Sequence, residues 1–198
     1  MLQALGFFMR HLLRTTIFAL SLVSLAAWGN NHTRSGLEPK ALIPLSVGNS
    51  WSYQRVGGDA TASAKVLKSE SRGGASWFLY KEFGDVFWLK NEEGNQVEAV
   101  NAFDKFDLPE KLEQEVVFYS PAKAPAAYSS SGGSIQYRSC EKSLKVPAGI
   151  FPCHVYTIDL GEGNSSVNYY SPGVGLIRNE FTTDSETVIF ELTDYRVE

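Results

Sequence analysis

Cys153 and His154 stand side by side, and a thiol next to an imidazole is the raw material of a nucleophilic dyad. The segment around them reads as a strand, however, and adjacent strand residues point to opposite faces, which keeps the pair out of hydrogen-bond reach. His154 is then a partly buried strand residue, and His32 falls in an N-terminal leader. Glu92-Glu93, and Asp104 with Asp107, supply carboxylate pairs of the kind a glycosidase uses. Both pairs lie in turn-rich sequence, where solvated charge is the simpler reading. The chain has no Gly-x-Ser-x-Gly elbow, no His-Glu-x-x-His and no phosphate-cradling Gly-rich loop. No catalytic residue, metal ligand or cofactor is assigned, and the chain reads as non-enzymatic.

The remaining chemistry is that of large aromatic surfaces. Trp51, Trp77, Trp88 and Tyr170 are the candidate ligand-binding residues, with core filling as the competing reading that their size favours. Cys140 and Cys153 are a candidate disulfide, because the first residues of the chain route it to an oxidising compartment. A single hairpin turning at Ala148-Gly149 places Cys153 opposite Leu144 and Cys140 opposite Thr157. The thiols then share a face but lie on the order of 13 Å apart at strand rise, beyond the roughly 7 Å span of bridged Cα atoms. A bulge or bend around Glu141 to Ser143 is needed to close the bridge; two free thiols are the alternative, and metal ligation is the weaker reading.

Arg10 and Arg14 precede the apolar run Thr15 to Leu25 and the small-residue exit Ser24-Leu25-Ala26, which is the order of a secretory signal peptide. A start at Met9 gives the same order. Residues 1–26 are expected to be removed and the product to be periplasmic or secreted. Arg10, His11 and Arg14 interrupt the run, which leaves about half of the roughly 20 apolar residues a spanning helix needs, so no transmembrane anchor is expected. Leu25-Ala26-Ala27-Trp28 resembles a lipoprotein box in which Trp28 replaces the lipid-carrying cysteine, so the mature chain reads as soluble. Cleavage takes two of the 18 basic residues and none of the 22 acidic ones, moving the net charge from −4 to −6. A nucleic-acid partner is excluded on that balance, since phosphate binding needs a basic stripe.

These groups have to be positioned by strands. Residues 27–43 read as a flexible leader and 44–198 as a single β domain. Strand signals at Trp51 to Val56, Ala62 to Glu70, Ser76 to Phe83, Val86 to Asn91 and Gln96 to Val100 alternate with Gly-rich turns. They resume at Ile135 to Val146, Phe151 to Leu160, Ser166 to Tyr170, Leu176 to Thr182 and Glu186 to Val197. Between the two sets lies a long excursion at about 104–134, with a helical turn expected at Pro109 to Gln114 and a strand at Glu115 to Tyr119. Trp77-Phe78-Leu79-Tyr80 and Val86-Phe87-Trp88-Leu89 put apolar side chains on both faces of their strands. With little helix to cover the second face, the expected fold is all-β and mainly antiparallel, a strongly curved meander forming a half-barrel or barrel.

The motifs Val47-Gly48-Asn49-Ser50-Trp51-Ser52-Tyr53, Val146-Pro147-Ala148-Gly149-Ile150-Phe151 and Ser171-Pro172-Gly173-Val174-Gly175-Leu176 together resemble those of a family of uncharacterised bacterial envelope proteins. The resemblance implies an exported antiparallel half-barrel, similar in fold to the carriers that move lipoproteins across the periplasm. It implies no catalytic residues. Many relatives in that family are lipoproteins, and Trp28 departs from them. Pro147, Gly149, Pro172, Gly173 and Gly175 read as turn residues, by fixed or positive φ. Two functions are expected from this reading. One is a binding module that holds a lipid or other apolar molecule on a concave aromatic face. The other is an envelope protein that contacts a protein partner through a strand edge or the 104–134 excursion.

Overall fold

The computed structural model describes residues 40–198. The expected signal segment, and the expected leader up to residue 39, lie outside the described residues. The last residues of that leader are packed: Leu42 and Ile43 are buried, Gly173 N–H donates to Ala41 O at 2.8 Å, and Asn91 Nδ2 donates to Ile43 O at 3.0 Å. The packed region therefore begins before Pro44, because two adjacent aliphatic side chains gain more from burial than their ordering costs.

Six strands run as a meander: β1 (Ser50–Arg55), β2 (Thr61–Arg72), β3 (Ala75–Glu82), β4 (Asp85–Glu92), β5 (Asn95–Ala99) and β6 (Gln114–Phe118). The strands β7 (Ala127–Ser130) and β8 (Gly133–Ser139) form a hairpin, and β9 (Leu144–Val146) with β10 (Gly149–Phe151) forms a separate ribbon. Finally β11 (His154–Gly161), β12 (Asn164–Ser171), β13 (Gly175–Thr182) and β14 (Thr187–Arg196) return the chain to β1. The result is one antiparallel 12-stranded sheet in the order β6-β5-β4-β3-β2-β1-β14-β13-β12-β11-β8-β7. It curls into a nearly closed barrel whose two edges, β6 and β7, meet without a ladder. Tyr128 Oη donates to Val117 O at 3.1 Å, Ser131 N–H donates to the Glu115 carboxylate at 2.9 Å, and the Tyr119 and Tyr128 rings meet edge-on at 5.0 Å.

Both faces of the sheet are apolar at β3 and β4, and alternation sorts them. Tyr80 and Leu89 join the interior cluster, while Trp77, Leu79, Val86, Trp88, Val97 and Ala99 form a second cluster on the outside. The segment after β5 covers this outer cluster with Ala102 and Leu108, and Trp88 Nε1 donates to Lys105 O at 3.1 Å. Its helical content is a 3-10 turn at Val100–Ala102. The helical turn expected at Pro109 to Gln114 is absent, because the Asn101 side chain takes Lys111 O and Glu113 N–H and holds that stretch open. The expected strand at Glu115 to Tyr119 is β6, and the serine stretch read as excursion contains β7.

The region of the cysteines departs from a single hairpin. The β8–β11 ladder ends at Ser139 and His154, and Cys140 N–H donates to Cys153 O at 2.9 Å. The chain then bends at Glu141-Lys142 and leaves the sheet. The ribbon turns at Pro147-Ala148, not Ala148-Gly149, and pairs Val146 with Gly149 and Leu144 with Phe151. The expected four-residue offset between the cysteines does not exist, because the ribbon is looped out instead of extending the ladder. Cys140 and Cys153 form a disulfide at its base, with Cα atoms 5.3 Å apart.

Pro172 and Gly173 form the β12–β13 turn, and Gly175 lets Trp51 reach it. Gly175 has φ +113, and a Cβ built there meets the indole Nε1 at 2.9 Å. Trp51 Nε1 donates to Val174 O at 2.5 Å in this space.

Two stability outcomes follow from this packing. Replacing Cys140 and Cys153 by Ser is expected to lower stability by about 2–3 kcal/mol, since the bridge spans a sequence separation of 13 residues. Urea denaturation with and without reductant checks this: reductant should shift the native midpoint and leave that of the variant unchanged. Gly175→Ala should lower stability by about 2 kcal/mol or more through strain at positive φ and displacement of Trp51. An unchanged melting temperature would refute the close approach.

Candidate functional site

A cavity of about 120 Å³, partly open to solvent, lies on the inner side of the β6–β7 seam. Val117 and Phe118 from β6 face Ser130, Gly132 and Ile135 across the seam, and Ile158, Leu160, Asn168 and Tyr170 complete that side. Opposite them lie Tyr80, Glu82, Phe87, Leu89, Gln96 and Glu98, with Ile43 from the N-terminal segment. Phe118 packs on Tyr156 at 5.0 Å and on Tyr170 at 5.2 Å, which fixes the aromatic part of the wall.

The four aromatic residues singled out from sequence are not brought together. Tyr170 lines the cavity. Trp51 is buried in the interior cluster, edge-on to Tyr80 at 5.8 Å, and is not part of the cavity wall. Trp77 and Trp88 are on the other face of the sheet, where Lys90 and Lys68 lie over their rings at 5.3 and 5.2 Å. A concave face carrying Trp77 and Trp88 is therefore corrected. Period-two alternation sends these tryptophans outward once Tyr80 and Leu89 point in.

The polar part of the wall comes from residues that sequence reading passed over. Glu82 accepts from Tyr80 Oη at 2.7 Å, and desolvation pushes its pKa from 4.5 up to about 7, with the nearby Asp85 adding to the rise. Burial also raises the Tyr80 and Tyr170 phenols well above their ordinary value. Gln96 and Glu98 are 3% and 4% exposed, and Gln96 Oε1 has no hydrogen-bond partner among the described residues. Asn168 is tied down, since its Oδ1 accepts from Asn179 Nδ2 at 2.6 Å and Ser166 Oγ at 3.3 Å. The signal for Glu82, Gln96 and Glu98 was a period-two one: each shares a strand face with an inward residue or its cross-strand partner.

The other sequence candidates are dispersed. Cys153 is bridged, so it offers His154 no thiol, and His154 Nδ1 instead lies 2.9 Å from Tyr137 Oη. Burial lowers the pKa of His154. Glu92 pairs with Lys90 at 3.0 Å, Glu93 with Lys123 at 2.6 Å and Asp107 with Lys68 at 3.9 Å, and none of them lines the cavity. Among the described residues no group of His, Cys, Asp and Glu is arranged to hold a metal ion, and no helix is long and apolar enough to cross a membrane.

No family model matches the chain, and no curated protein matches it. The motif resemblance rests on its motifs alone. Two solved structures are similar in arrangement. A candidate lipoprotein from Parabacteroides distasonis is 13% identical with a TM-score of 0.39, over 81% of this chain and 100% of that one. A candidate exported protein with a YmcC-like fold from Bacteroides fragilis is 13% identical with a TM-score of 0.44, over 79% of this chain and 99% of that one. Likenesses at this level do not bear on the chemistry of the cavity, which follows from its own residues.

Glu82 gives the site a pH signature. Its folded pKa lies above its ordinary value of 4.5, so the native state holds the proton more tightly, and stability falls as pH rises from about 4.5 through 7. Glu82→Gln keeps an acceptor for Tyr80 and removes the charge. The variant is expected to be more stable than the parent above pH 7 by about 2 kcal/mol, with the difference vanishing below pH 4.5. Urea titrations at pH 4.5 and 8 test this, and parallel curves for the two proteins would refute it.

Proposed function

We propose that this chain is an exported, non-enzymatic binding module that holds a lipid or other apolar molecule inside its barrel. The observation that carries the reading is the cavity itself, a largely apolar space behind the seam with a few polar groups set into its wall. Apolar cavities of roughly 150 Å³ accept a benzene-sized guest, so a space of about 120 Å³ suits one small ring or a short alkyl segment of a longer molecule. Export is supported by the Arg10 and Arg14 segment with its apolar run, and by the disulfide, which suits an oxidising compartment.

A second reading, protein contact in the envelope, is favoured by one observation: Ile150, on β10 of the looped-out ribbon, is 68% exposed. β6 and β7 meet at the seam, and the excursion lies over Trp88 while leaving Phe106 58% exposed.

Native mass spectrometry of protein purified from its own envelope, with extraction of bound material, is the primary test. A co-purifying lipid or apolar metabolite is expected. Leu160→Trp, which places a ring in the partly exposed wall, should weaken binding of toluene about tenfold with the circular dichroism spectrum unchanged. An empty protein that also fails to bind toluene would sink this reading and favour the exposed face of the ribbon.

A further inference from the structure

We infer that the molecule held in the cavity carries an uncharged or cationic hydrogen-bond donor, such as an amine or hydroxyl, at the level of Gln96 and Glu98. The inference rests on the binding reading above and narrows its ligand class against carboxylates and phosphates.

The first ground is the inventory of the wall. Among the described residues that line the cavity there is no Lys, Arg or His, while Glu82 and Glu98 contribute carboxyl groups. An anionic headgroup entering this space would find no counter-charge and would face two acidic side chains in a medium that screens poorly.

The second ground is an acceptor in need of a donor. Gln96 Oε1 is buried, lies in a residue that lines the cavity, and has no partner among the described residues. A buried carbonyl left in this state loses its hydration without compensation, which a donor on a ligand would restore. Gln96 and Glu98 are two residues apart on one strand face, about 7 Å along β5, so a single small group can be addressed by both. Glu98 stands between Leu89 and Glu115 in the ladder, and Gln96 between Phe118 and Asn91, so each acceptor has one apolar neighbour and one polar one. Apolar walls around acceptors select an amphiphile, and the lack of a cation selects its sign.

The discriminating experiment is an NMR titration at pH 8 with benzylamine, benzyl alcohol, toluene and benzoate, which share one ring and differ in the polar group. Benzylamine is expected to bind about tenfold more tightly than benzoate, with benzyl alcohol between them. Gln96→Leu should erase most of the advantage of benzylamine over toluene. The variant removes an unpartnered polar atom, so its melting temperature should not fall. Glu98→Gln is the second probe, and it should reduce the benzylamine-to-benzoate ratio. Benzoate binding as well as benzylamine, or a preference indifferent to both substitutions, would overturn the inference and leave the binding module standing. Failure of all four probes, toluene included, would remove the binding reading, and this inference with it.

Discussion

The seam between β6 and β7 is the constraint on which the interior depends. A sheet of twelve strands that curls this far has to bring its edges together or leave two rows of unpaired main-chain groups. Here the edges meet through side chains, with Tyr128 reaching Val117 O and Glu115 receiving Ser131 N–H. Side chains hold strands farther apart than a ladder does, and the space left behind is the cavity between Phe118 and Ile135. The residues that close the barrel and those that shape its interior are thus neighbours along the same short strands.

The excursion between the two meanders serves this closure and a second purpose. Its later part supplies β6 and β7, and its earlier part lies over Trp77 and Trp88 on the outside of the sheet. The sheet is apolar on both faces at β3 and β4, and without such a cover the tryptophans would form an exposed patch. Apolar residues on both faces usually call for helices, whereas this chain covers them with a loop pinned by Trp88 Nε1 and Asn101. The interior in turn is free to carry polar groups. Glu82, Gln96 and Glu98 occupy inward positions that a filled core would give to aliphatic residues.

Much of the fold was legible because its signals are local. Glycine turns at Gly57-Gly58, Gly73-Gly74 and Gly84 punctuate runs whose alternation marks strands, so the meander and its antiparallel sense could be read directly. The curved sheet follows from double-sided apolarity. What could not be read was the break at Cys140. Residues Ile135 to Val146 look like one strand, yet only the β8–β11 ladder decides that the strand stops at Ser139 and loops out a ribbon. Because the break comes just before Cys140, the two cysteines lie across the base of that loop and not four positions apart.

The site was less legible than the fold for a reason of symmetry. A strand with apolar residues on both faces has the same pattern whichever face turns inward, so nothing local distinguishes Trp77 and Trp88 from Tyr80 and Leu89. By itself the sequence determined the strands and glycine turns of the two meanders, the export-type N-terminus and the acidic balance, all set by neighbouring residues. Tertiary structure alone decided which face is inside, where the edges meet, and that Glu82, Gln96 and Glu98 share a cavity with Tyr170. Those are contacts between residues distant in the chain, fixed by register and by the competition of two apolar faces for one interior.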